Sequence, residues 1–85
     1  MIMKIIIKFN ESAFRHGISR EDIEHAIKTR VYDAPIIGFI NKYALIGFDA
    51  TGNPLEIMYN PVDDDTIYVF HAMKARKTFL AMLDL

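Results

Sequence analysis

Apolar and polar residues alternate through the first nine positions of the chain. Met3, Ile5, Ile7 and Phe9 share one side, and Ile2, Lys4, Ile6 and Lys8 share the other. A period of two with β-branched residues predicts a strand over 1–9. The pattern then changes. Asn10 suits a helix N-cap, so a short helix is expected from Glu11 to His16, stopped by Gly17. Ser19-Arg20-Glu21-Asp22 forms a capping box with Asp in its last place, and Ile18 and Ile23 flank it as a hydrophobic staple. Ile23, Ala26 and Ile27 mark the inner stripe of a helix from about Arg20 to Arg30.

Asp33-Ala34-Pro35 ends that helical region, a further strand is offered near Ile36, and Asn41-Lys42 turns the chain. Tyr43–Asp49 and Leu55–Asn60 read as a hairpin joined through Ala50-Thr51-Gly52-Asn53, where Gly52 or Asn53 supplies positive φ. An acidic turn, Pro61 to Asp65, leads into a last strand, Thr66–His71. The order β-α-α-β-β-β-α predicts one α+β domain over 1–85. It has an antiparallel sheet of three to five strands, two helices from the N-terminal half and a C-terminal helix. Short turns place the last strand at or beside the centre of the sheet, with no helix between Leu55 and Phe70. The closing helix carries Phe79, Leu80, Met82, Leu83 and Leu85, more apolar surface than one stripe buries. That surplus predicts a homodimer or another protein contact.

Composition narrows the class. An apolar content of 52% excludes a disordered chain, and the absence of cysteine excludes disulfides and thiolate chemistry. No apolar run is long enough to span a bilayer, and the lysines of the first segment do not suit a signal peptide. A cytoplasmic protein is expected. The net charge of −1 hides an uneven distribution, because no Lys or Arg lies between Tyr43 and Met73. Any basic patch must therefore join the first forty-two residues to the last helix.

The cations return abruptly after His71, as Lys74, Arg76 and Lys77. A proton-transfer group beside fixed positive charge suits a phosphate-rich ligand. The same residues also fit a strand cap followed by a solvated helical turn. Tyr43, Tyr59 and Tyr68 fit amphipathic cover for the sheet. Strict alternation puts Tyr68 and His71 on opposite faces unless the strand bulges between them. His16 fits a helix-end cap, and His25, four residues after Glu21, reads as surface structure. The histidines lack metal-ligand spacing, so neither a metal nor a cofactor is expected. Acids at the start of the second helix argue against reading DNA with the helical pair.

Three segments together resemble one family. Phe14-Arg15-His16-Gly17-Ile18-Ser19-Arg20-Glu21-Asp22-Ile23 is similar to the "KHGVS-x-E-E-A" opening of BrnT-like proteins. Ala44 to Asp49 followed by Gly52 to Ile57 is similar to their "IG…G…L" hairpin. Val69 to Lys77 occupies the place of their last strand and "SAR-x-A" turn, with His71 and Met73 where Ser and Arg are common. The resemblance implies a RelE-like fold and a ribonuclease toxin of a type II toxin–antitoxin pair. Such a toxin cleaves RNA without a metal and is neutralised by an antitoxin protein. His71, Arg76 and Lys74 would then be catalytic, and Lys77, Tyr43, Tyr59, Tyr68 and His16 would contact RNA, with Lys42 remote from the site. The alternative is a non-enzymatic interaction domain of the same fold.

Overall fold

A computed structural model describes residues 4–81. Met82, Leu83 and Leu85 of the expected apolar surplus lie outside the described residues, as do the first three positions of the expected first strand. Five strands form one sheet in the order β1-β5-β4-β3-β2. They are β1 (Ile6–Phe9), β2 (Tyr32–Pro35), β3 (Tyr43–Phe48), β4 (Pro54–Pro61) and β5 (Thr66–Lys74). The expected meander β3–β4–β5 is antiparallel throughout, and β5 lies beside the central strand. β1 pairs with β5 in parallel, so the sheet is mixed rather than wholly antiparallel. No tight turn joins these two strands, and nothing local dictates their relative direction.

The first predicted helix is a 3-10 turn, Glu11–Phe14, capped by Asn10 and followed by Gly17 at φ 79°. Helix α1 spans Arg20–Lys28. Ser19 caps it by accepting from the Asp22 amide at 3.1 Å. The Asp22 carboxylate accepts from Ala50 N at 3.2 Å, which ties the helix start to the β3–β4 turn. The further strand lies earlier than expected. Asp33-Ala34-Pro35 belongs to β2 at the sheet edge, a place where proline's missing donor is tolerated, and Ile36 begins the loop after it. Helix α2 is a single turn, Lys77–Leu80.

One face of the sheet holds the main core. Ile23, Ala26 and Ile27 of α1 pack with Leu45, Leu55, Ile57, Val69 and Ala72. Helix and sheet approach so closely at Gly47 that a Cβ there would overlap the Ala26 carbonyl. The second face carries a smaller cluster, in which Ala44, Ile46 and Met58 pack under Phe79 of α2.

A bulge in β5 decides what the second face presents. Met58 pairs with His71 and Tyr59 with Val69, leaving Phe70 as the extra residue. Val69 and Ala72 both enter the main core, so Phe70 and His71 turn together to the second face. Tyr68, alternating with Val69, lies on that face as well. The bulge removes the conflict between Tyr68 and His71.

Candidate active site on the second face

The site is built around Glu56, a carboxylate with no exposed surface in the middle of an aliphatic strand. Arg76 donates to it three times, from its backbone N at 2.9 Å, from Nε at 3.0 Å and from Nη2 at 2.7 Å. His71 Nε2 lies 2.9 Å from the remaining lone pair region of Oε2. Burial pushes the Glu56 pKa up, but the hydrogen bonds from Arg76 and then His71 outweigh it. The carboxyl is held below the ordinary value. The ion pair in turn raises the pKa of Arg76. An ionised Glu56 can only accept, so His71 Nε2 carries a proton and Nδ1 keeps its lone pair in the neutral ring.

The turn after β1 brings a second imidazole to this place. Asn10 N donates to Val69 O, Asn10 Nδ2 to the Tyr68 hydroxyl at 2.9 Å, and Ser12 Oγ to Phe70 O at 2.6 Å. These bonds run the 3-10 turn along the bulged part of β5. His16 then stands edge-on to His71, with ring centroids 5.5 Å apart. His16 therefore faces a second histidine rather than serving only as a helix end.

The expected residues divide clearly. His71, Arg76, His16 and Tyr68 share the second face, and exposed Lys77 opens α2 beside Arg76. Lys74 pairs with Leu55, whose side chain enters the opposite core, so register directs Lys74 away from His71. Tyr43 and Tyr59 stack on each other on that opposite face. Tyr59 is buried and donates to Asp33; burial and that carboxylate raise its pKa. The reading of Tyr43, Tyr59 and Lys74 as parts of one site with His71 is corrected, because the sheet separates them. Lys42 is corrected in the other direction. Its ammonium lies 5.5 Å from the Phe70 ring centroid, one residue from His71. His25 bonds Phe48 O through Nδ1 at 2.6 Å, a tie between α1 and β3. Among the described residues no three His, Asp or Glu side chains are grouped to hold a metal ion. Nor is any helix among them long and apolar enough to cross a membrane.

Glu56 was missed by sequence reasoning. Its signal was a lone acid between Leu55 and Ile57 in a strand where every neighbour is apolar. Such a residue is buried only with a partner.

One helix across a mixed five-stranded sheet, a short turn beside its bulged strand, and a second face covered only by the single-turn α2 together define a small α+β fold. The chain matches the 1.1 Å crystal structure of the Brucella abortus ribonuclease toxin BrnT with a TM-score of 0.61, at 19% sequence identity, over 89% of this chain and 100% of that one. The fold is BrnT-like. No family model matches the sequence, and no curated protein does.

Proposed function

We propose that this protein is a cytoplasmic endoribonuclease toxin, needing no metal and neutralised by an antitoxin. The observation that carries the reading is the pair of imidazoles, His16 and His71, set beside Arg76 on a fold shared with a ribonuclease toxin. His71 Nδ1, oriented by Glu56, removes the proton from a ribose 2′-hydroxyl. The 2′-oxygen then attacks the adjacent phosphorus. As the P–O5′ bond breaks, protonated His16 gives its proton to the leaving 5′-oxygen. The products are a 2′,3′-cyclic phosphate and a free 5′-hydroxyl. Arg76 stabilises the phosphorane through the guanidinium edge that Glu56 leaves open, and Lys77 adds long-range attraction for the RNA strand. Tyr68 and Phe70 offer rings on the same face for unpaired bases.

The test uses single-stranded RNA in the presence of a chelator. His71→Ala should lower cleavage by ~10²–10⁴-fold, the range for a lost general acid or base. His16→Ala should do the same on ordinary RNA, but much less on a substrate with sulfur at the bridging 5′ position, whose thiolate leaves unprotonated. RNA left intact by the native protein, with and without ribosomes, would defeat the reading. The interaction-domain alternative would then stand.

A further inference from the structure

The second face also carries a groove that the proposed chemistry does not use. Tyr32, Ile36, Ile37, Ala44, Met58 and Phe79 line a cavity of about 290 Å³. The loop after β2 forms one wall, and it leaves Ile37 97% exposed, Ile40 96% exposed and Phe39 58% exposed. Three large apolar side chains within four residues form a patch of the kind that marks a contact surface. Three cations stand around the groove, and the one acid beside them, Glu56, is buried. Lys42 lies over the rings of Phe39 and Phe70, Arg76 lies over Phe79, and Lys77 opens α2. Arg76 is neutralised by its ion pair with Glu56, so the unpaired charge comes from the two lysines, neither of which meets an acid among the described residues.

We infer that this groove docks an acidic amphipathic segment of another protein, and that the docked segment covers the His16–His71 site. Ile36, Ile37, Ala44 and Met58 make up most of the wall between the rings of Tyr32 and Phe79, a mixed apolar lining that fits the anchors of a helix whose other positions are carboxylates. Lysines at the rim supply the complementary charge, which sets orientation and association rate. Coverage follows from register. Met58 is the cross-strand neighbour of His71, and Phe79 lies under the Arg76 guanidinium, so the groove and the site share a wall. The inference rests on the neutralisation reading above and says where the neutralising segment sits.

The experiment uses the full chain with methyl-labelled Ile, Ala and Met, observed by NMR. The probe is a synthetic helical peptide with Leu at i, i+3, i+4 and i+7 and Glu at most other positions, compared with its Lys-for-Glu counterpart. The acidic peptide should shift the Ala44 and Met58 methyls and the His71 ring signals, while the basic one should not. Ile37→Ser combined with Ile40→Ser should weaken binding about tenfold or more without lowering the melting temperature, since both side chains are already in water. Lys42→Glu should weaken it comparably. Equal binding of both peptides, or of neither, would overturn the inference. Groove shifts produced by oligouridine instead would assign the surface to RNA. Shifts that grow with protein concentration alone, and vanish in the isoleucine variant, would assign it to a second copy. RNA cleavage is not measured, so an inactive protein would refute the nuclease reading and leave this test intact.

Discussion

Replacing Glu56 with Gln tests the centre of the site and much of the second face with one atom. The side chain keeps its shape, and its carbonyl oxygen can still accept from Arg76 N and Nε. The amide nitrogen, however, replaces Oε2, where Arg76 Nη2 now donates at 2.7 Å and His71 Nε2 at 2.9 Å. One donor then faces another, and His71 must move its proton to Nδ1 to accept. Breaking a fully enclosed ion pair costs ~3–5 kcal/mol. Here the Arg76 side chain is 53% exposed and can turn to water, which lowers the figure. Loss of charge assistance and one conflicting buried contact leave about 2–3 kcal/mol. For a domain of this size that is roughly a 10–20 °C fall in melting temperature. The dependence on pH has a definite sign. Glu56 has a lowered pKa in the folded state, so its contribution is complete above about 4.5, the ordinary value, and is lost as pH falls through the folded value. Urea melts of both proteins at pH 7 should differ by the stated amount, and the difference should shrink on acidification. Equal stability at pH 7, or a gap that ignores acid, would refute the reasoning. In the folded variant the imidazole nitrogen shifts should also show the tautomer reversed, and RNA cleavage should fall with it.

Four further outcomes are expected. Gly47→Ala should destabilise by about 3 kcal/mol or more in a denaturant melt, because the new methyl meets Ala26 backbone that cannot move aside. Ser19→Ala should cost about 1 kcal/mol by the same assay, the usual worth of an N-cap. Asp49, whose pKa is lowered to about 2 chiefly by the Asn53 amide, should stabilise the β3–β4 turn above about pH 4 and lose that effect as pH falls through 2. Melts of Asp49→Ala and the native chain should therefore converge in acid. Tyr59→Phe should cost about 1 kcal/mol for the lost bond to Asp33, yet leave RNA cleavage unchanged, since it lies across the sheet from His71.

The elements that follow one simple period were legible before any coordinates. The strand ending at Phe9, the Ser19 cap with its helix, and the hairpin around Gly52 repeat every two or every 3.6 residues or carry turn chemistry. Two elements broke period. β2 is four residues long and ends in proline, so edge pairing rather than composition makes it a strand. In β5 the bulge inserts Phe70, and alternation counted through it puts His71 on the wrong face. The extension of β5 to Lys74 is likewise not local, because it depends on Leu55 to Met58 being available as partners. Of the site, His71 and Arg76 stood out as a histidine before cations. Their common partner Glu56, and His16 beside them, depend on register and on the parallel return of β1, which no spacing in the chain encodes.

That parallel return has a consequence for when the candidate site is assembled. The bonds that seat the early turn on β5 join residues 58 positions apart, Asn10 to Tyr68 and Ser12 to Phe70. Loop closure over such a span is entropically costly and comes late unless the intervening meander has already shortened it. Tight turns favour early formation of the β3–β4–β5 meander, with β1 expected to dock onto its edge afterwards. During synthesis the first imidazole emerges long before the second. A nascent chain or a fragment ending before β5 holds neither the Glu56–His71 contact nor the histidine pair, so the candidate site is incomplete until the last strand is in place.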